Sequence, residues 1–407
     1  MSAPIVTPLR EVIAEAQPGF ACGDEVSDGI FQIRMNNITR DGLLDTNKKR
    51  LVPRSHKGVR KALLQDRDIL FNATNSPDLV GKTALIRNPL EPTVYSNHFL
   101  RLRVNGDIVD PSYLHRWLNS EFQRGVYKAM CRQWVNQATL SRDALLSTTI
   151  PILPLKEQQR IAEVLDRADA LRSKRRQAIT LLNDLAQSLF LDMFGDPVQN
   201  PMNWDRMNIG QIGRVITGNT PPRADESNYG HTIEWIKSDN IIPTQLFLSK
   251  AAEGLSEAGA KRARIADSGS LLVTCIAGSP ASIGNVAIAD RQVAFNQQIN
   301  AITKPVANKF FLFMQLVVGK RLVQDQSTGG MKGLVSKSRF ESISLIYPPM
   351  DLQNEFATRF GALRDVMDHQ RDHLATVETL FASLQSRAFR GELWQDDLDH
   401  REGERLP

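Results

Sequence analysis

Cysteine is scarce in this chain of 407 residues: Cys22, Cys131 and Cys275 are far apart and odd in number. No metal-ligand spacing joins them, so reduced thiols are expected rather than a disulfide framework or a zinc site. No apolar run approaches the ~20 residues of a membrane span. The opening MSAPIVTPLREVIAEA lacks the basic-then-apolar order of a secretion signal. A cytoplasmic protein that does not meet a membrane is the expectation. Hydrophobic residues at 42% and charged residues at 23% exclude a disordered chain. The length exceeds what one core supports and points to more than one domain.

Catalytic constellations are missing too. Gly81-Lys82-Thr83 imitates the end of a phosphate-binding P-loop, but that loop needs a glycine where Ser76 stands. Thr220-Pro221-Pro222-Arg223 and Tyr347-Pro348-Pro349-Met350 hold a proline pair without the flanking polar and aromatic residues of an amino-methyltransferase tetrad. Pro77-Asp78 has no spaced Glu-x-Lys to complete a nuclease site. His369 and His373 share a helix face but have no third ligand. No catalytic residue, metal or cofactor is assigned to this chain.

What the chain does have is a repeat, the first thing to test in any sequence. Leu153-Pro154-Leu155-Lys156-Glu157-Gln158-Gln159-Arg160-Ile161 returns as Pro348-Pro349-Met350-Asp351-Leu352-Gln353-Asn354-Glu355-Phe356, offset by 195 residues. Ser76-Pro77-Asp78-Leu79-Val80-Gly81 returns as Ser279-Pro280-Ala281-Ser282-Ile283-Gly284, offset by 203, as does Asn37-Ile38 as Asn240-Ile241. The second loop copy lacks the lysine and hydroxyl of Gly81-Lys82-Thr83. A shared turn that needs glycine therefore explains the loop better than phosphate binding. Each half reads as a strand-rich unit followed by a long helix. Gly195-Asp196-Pro197-Val198-Gln199-Asn200-Pro201 forbids helix continuation between the halves.

From Leu155 to Phe194 there is neither proline nor glycine, which predicts a helix of roughly 60 Å at ~1.5 Å per residue. With Ile161 at heptad position a, the expected seam runs through Ala168, Leu171, Arg175, Leu182 and Leu185. In the second helix it runs through Leu363, Val366, Gln370, Val377 and Leu380. The two helices are expected to pair antiparallel, with Arg175 facing Gln370 as a polar layer that sets register.

Net charge is +5, and basic residues cluster in both halves. Lys48, Lys49, Arg50, Lys57 and Arg60 crowd the first, while Lys261 and Arg264 crowd the second. Such clusters suit phosphate contacts.

The ordered set Pro151-Ile152-Leu153-Pro154-Leu155, Met193-Phe194-Gly195-Asp196-Pro197, Asn203-Trp204, Thr217-Gly218-Asn219-Thr220-Pro221, Asn296-Gln297-Gln298-Ile299, Ser327-Thr328-Gly329-Gly330 and Phe389-Arg390-Gly391-Glu392-Leu393 resembles the specificity subunits of type I restriction–modification enzymes. The resemblance implies an α+β fold with two pseudo-symmetric target-recognition domains separated by two helices in an antiparallel coiled coil. It places recognition domains at 1–150 and 196–347, spacer helices at 151–195 and 348–394, and a polar tail at 395–407. Each domain would read half of a split, asymmetric site on double-stranded DNA, and the helices would dock two methyltransferase subunits. A restriction/translocase subunit would complete the assembly, with S-adenosylmethionine, ATP and Mg²⁺ on those partners. Two departures are visible: no tryptophan near Thr7 matches Trp204, and nothing near Arg132 matches Thr328-Gly329-Gly330.

Base edges are read by Arg or Lys at guanine and by Asn or Gln at adenine. In the first half the candidates are Arg34, Asn36, Asn37, Asn72, Asn75, Arg132, Gln133 and Asn136. In the second they are Lys237, Asp239, Asn240, Lys261, Arg264, Gln297, Gln298 and Lys332. Most are expected to touch phosphate or to hold the scaffold, because backbone contacts outnumber base contacts. The competing reading is a coiled-coil scaffold or adaptor that binds proteins instead of DNA.

Overall fold

A computed structural model describes residues 4–89, 91–133, 137–243, 245–328 and 333–393. Asn136, Lys332, Gly329, Gly330 and the 395–407 tail lie outside the described residues. The chain divides into two compact units. The first holds the residues up to 174 and those from 374 onward, and the second holds 175–373.

The same α+β plan is built in each unit. In the first, Ile5–Pro8 pairs antiparallel with Thr149–Ile152 and closes the globular part at the foot of the long helix. Its main antiparallel sheet runs in the order Ile13–Pro18, Phe99–Val104, Ile69–Asn72, Thr83–Leu85. A smaller sheet sets Ile30–Ile33 between Leu51–Val52 and Thr93–Tyr95, the latter pair parallel. In the second unit Arg206–Asn208 pairs with Ser344–Ile346, and the main sheet runs Arg214–Thr217, Ile299–Thr303, Leu271–Thr274, Val286–Ile288. Its smaller sheet contains Tyr229–Ile236 and Val293–Phe295, again parallel. The central strands Ile69–Asn72 and Leu271–Thr274 are buried along their whole length, because their sheets are covered on both faces.

One helix covers each main sheet. Pro111–Gln123 begins with proline, and its cap residue Asp110 accepts from the Ser112 and Tyr113 amides at 2.8 and 3.2 Å. Lys309–Val318 is capped by Asn308, which accepts from the Phe310 amide at 3.0 Å. Such caps satisfy amides that a helix leaves open at its start.

The long helices are Leu155–Phe194 and Met350–Arg390. The first stops at Gly195, where φ is +74° and the amide donates to the Leu191 carbonyl at 2.8 Å. Gly391 ends the second with φ +73°. These are left-handed C-terminal stops, for which glycine carries no Cβ penalty.

Within each unit the segments of the two helices run antiparallel. In the second unit Phe190 packs edge-on against Phe356 with centroids 5.7 Å apart, and the Arg175 guanidinium donates to the Gln370 side-chain oxygen at 2.5 Å. In the first, Ile161 and Leu165 share a core with Ala388 and Phe389, and Arg172 lies over the Phe381 ring at 4.3 Å.

The seam differs from the expected one by one side of the helix. Ile161 is buried, and Ala168, Arg175, Leu182, Leu363, Gln370 and Val377 are half-buried. Leu171, Leu185, Val366 and Leu380 instead stand 43%, 50%, 48% and 54% exposed. The buried alternates are Leu165, Ala186, Phe360, Met367 and Ala388, each on the opposite flank of the helix from those four residues. Leucines on both flanks made the apolar stripe ambiguous. Packing against the globular part selects the other flank: Arg116 reaches Asp169 at 2.9 Å in the first unit, and the Phe310 ring lies tilted against Phe360 at 6.0 Å in the second.

Candidate nucleic-acid interface

At one end of each unit the strands deliver three loops to a common cradle, and the same backbone bonds fix it twice. In the first unit the Asn37 side-chain oxygen accepts from the Arg34 amide at 2.9 Å, while its amide donates to the carbonyls of Asp45 and Lys48, both at 2.9 Å. In the second, Asn240 accepts from the Lys237 amide at 2.9 Å and donates to the Ser249 hydroxyl and the Lys250 carbonyl, each at 3.2 Å. The Ser96 amide donates to Ile33, as Asn296 does to Ile236, both at 3.0 Å. His98 accepts from the amides of Ala73 and Thr74, as Gln298 does from Cys275 and Ile276. Gly81 and Gly284 both adopt positive φ, +94° and +82°, to complete the loop that follows. A Cβ at Gly81 would strike the Tyr127 ring, so the turn that imitates a P-loop is a packing device.

The side chains at the tips of this shared frame differ. Around a cleft of about 460 Å³ the first unit presents Gln32, Arg34, Asn36, Asn97 and His98. Arg34, Asn36 and Asn97 are exposed. Burial pushes the His98 imidazole below its ordinary value, and the Arg34 charge adds to this. The corresponding tips of the second unit are Lys237, Asp239, Gln297 and Gln298. Asp239 and Gln297 are exposed, and Gln297 accepts a short hydrogen bond from the Thr220 hydroxyl. Lys237 lies over the Trp235 ring at 5.1 Å and pairs with Glu253, whose carboxyl it holds below the usual range.

The remaining candidates separate by what they bond. Asn37, Asn72, Asn75 and Asn240 are buried. Asn72 donates to the Thr74 and His98 carbonyls at 3.1 and 3.2 Å, and Asn75 donates to Asn72 at 2.5 Å. These amides are spent on the frame. Arg50 is also inward: it ties the 22–24 turn by donating to the carbonyls of Cys22, Gly23 and Asp24. Lys49 pairs with Glu91, and Lys261 pairs with Glu257 at 2.8 Å along its own helix. Lys48, Lys57, Arg60, Arg132, Gln133 and Arg264 are exposed. Gln133 and Arg132 sit on a short strand paired with Ala138–Thr139, which pairs in turn with Thr74–Asn75 beside the cradle.

Sequence reading passed over Asn97 and His98, and over Ser238, whose hydroxyl donates to the Gln298 side-chain oxygen at 3.1 Å. The signal that would have found the first was present: Ser96-Asn97-His98 precedes a core strand as Asn296-Gln297-Gln298 does, but nothing except position relates the two triplets. Among the described residues no cluster of three or more His, Cys, Asp or Glu side chains is placed to hold a metal. No helix among them is long and apolar enough to cross a membrane.

Comparison with known proteins gives a family and a fold. A family model described as "Type I restriction modification DNA specificity domain" matches twice, at 33–181 and 201–379. The putative type I restriction enzyme MjaX specificity subunit of Methanocaldococcus jannaschii is 23% identical, over 95% of this chain and 93% of that protein. The type I restriction enzyme HindI specificity subunit of Haemophilus influenzae is 21% identical, over 75% of this chain and 81% of that one. In fold, the chain resembles the crystal structure of a type I restriction-modification S subunit from M. genitalium, with TM-score 0.54 and 12% identity over 95% of this chain and 96% of that one. A chain from a structure describing complex assembly and conformational transition of the type I R-M system gives TM-score 0.52 and 17% identity, covering 97% of this chain and 99% of that one. With both of its halves matched and the same cradle built in each, the chain belongs to the type I restriction–modification DNA specificity family.

Proposed function

We propose that this chain is the DNA-specificity subunit of a type I restriction–modification complex and carries no catalysis of its own. The two recognition domains, 1–150 and 196–347, each read one half of a bipartite, asymmetric site. The helices at 151–195 and 348–394 hold the gap between half-sites and dock two methyltransferase subunits. A restriction/translocase subunit joins them in the prokaryotic cytoplasm, and S-adenosylmethionine, ATP and Mg²⁺ act on the partners. The observation that carries this reading is one hydrogen-bonded cradle built twice with different side chains at its tips. Equal frames with unequal tips suit two unlike words read by one chain.

The tips sort by chemistry. Arg34 and Arg132 suit guanine, Asn36, Gln133, Gln297 and Gln298 suit adenine, and Asp239 suits the cytosine amino group. Lys48, Lys49, Lys57, Arg60, Lys261 and Arg264 suit phosphate, with Lys49 and Lys261 first giving up exposed ion pairs that hold little energy. Footprinting with the methyltransferase partner present tests the reading. Two protected patches with a fixed gap are expected. A protein-binding coiled-coil adaptor would protect neither.

A further inference from the structure

Lys82, the lysine of the false P-loop, is only 5% exposed. No carboxylate pairs with it among the described residues. Its ammonium instead donates to the Met35 carbonyl at 2.9 Å and the Ile38 carbonyl at 2.5 Å. Those two carbonyls lie at the start and just past the end of the short turn Met35–Asn37, which exposes Asn36 and is capped by the exposed Arg34 at the rim of the first cradle. A buried ammonium without an acid is a costly way to fill space. Burial pushes its pKa down, and the nearby Arg40 charge does so further. An apolar side chain of similar length would suit the core better. The lysine does what such a side chain cannot, since it ties the turn down from beneath at both ends.

Among the described residues the second unit shows no matching tie. Asn285 occupies the position matching Lys82, directly after the positive-φ glycine. It accepts from Lys320 at 2.6 Å, and Lys320 also donates to the Ala281 carbonyl at 2.6 Å. That cation holds the 281–285 loop, not the Ser238–Asn240 turn.

We infer that Lys82 is a positioning residue for base recognition in the first half-site: its two carbonyl bonds fix the turn that presents Arg34 and Asn36 to DNA. The inference rests on the DNA-reading function proposed above. Arg and Asn discriminate bases only when held in register with a base edge, so a loosened turn keeps its charge and loses its selectivity.

The test expresses the full complex with its modification subunits in cells and maps methylated positions across the genome. Wild type is expected to yield a two-part motif. K82M is expected to lose roughly tenfold or more of its discrimination at one half-site and to keep the other. R34A should relax that same half, and K82R should restore discrimination. Intact folding is checked by retention of the second half-site. If K82M does not accumulate as folded protein, K82Q serves in its place, and partial relaxation of the same half is expected. Unchanged discrimination at both halves, equal loss at both, or relaxation of the half that R34A leaves intact overturns the inference. A wild-type complex with no two-part motif overturns the underlying function instead.

Discussion

Gln158 and Gln353 explain why one short sequence pattern occurs twice. Each is fully buried in the first turn of its long helix. Gln158 accepts from the Asp110 amide at 2.9 Å and donates to the Ile108 and Leu153 carbonyls at 3.0 and 2.7 Å. Gln353 accepts from the Asn308 amide at 2.9 Å and donates to the Pro348 carbonyl at 2.8 Å. Each thus joins a helix start to the cap of the helix that covers its sheet. Alanine at either position strands these buried groups and is expected to cost about 2 kcal/mol in denaturant unfolding. The exposed neighbour Gln159 should tolerate alanine within about 0.5 kcal/mol. A second residue-scale test concerns His115, whose imidazole burial drives down to about 3, with the Arg116 charge assisting. The folded pKa lies below the unfolded value of 6.5, so the unfolded chain binds the proton first. Stability associated with His115 is complete above 6.5 and is lost as pH falls from there toward about 3. Unfolding free energies across that range should show a shallower acid loss in H115L than in wild type.

At the scale of elements, the two helices show how far periodicity carries. Absence of proline and glycine located Leu155–Phe194 to the residue, and the glycine stop at Gly195 agrees with the break after Phe194. The face was harder to read. At 3.6 residues per turn, positions three and four along flank the same stripe, so apolar residues on both sides leave the seam open. Phe356 packs against Phe190, Phe194 and Phe360, and F356A is expected to cost about 3–5 kcal/mol. V366A and L380A, on the exposed flank, should change stability by less than about 0.5 kcal/mol in the same assay. The Arg175–Gln370 pair is proposed to fix register. Replacing both with Leu should raise the melting temperature yet permit alternative registers, read by disulfide trapping between engineered cysteines. A single unchanged register would remove that role.

For the whole molecule, the doubled cradle makes the halves separable in specificity. Exchanging residues 1–150 for the matching part of a relative is expected to change one half of the methylated motif and leave its spacing intact. A change in both halves would mean that the units do not read separately. Affinity for DNA should also fall steeply with salt, since each phosphate neutralised contributes a slope of about −0.9 in log K against log salt. K57A and R60A should each reduce that slope by roughly one without altering the motif.

The amino-acid order alone determined that the chain is repeated and where its first long helix begins and ends. Those properties are local or periodic: a proline, a glycine stop or a fixed offset acts within a few residues of itself. Tertiary structure decided which helix flank is buried and which polar residues face outward. Asn36 and Asn37 are neighbours of one type, yet one stands in solvent while the other is spent on Asp45 and Lys48. Sequence already set aside a phosphate role for Lys82, but only the fold makes it a strut, because Met35 and Ile38, more than forty positions earlier, supply its acceptors. No sequence window of helical or strand length contains both partners. Burial and hydrogen bonding between distant segments exist only once the sheets have formed.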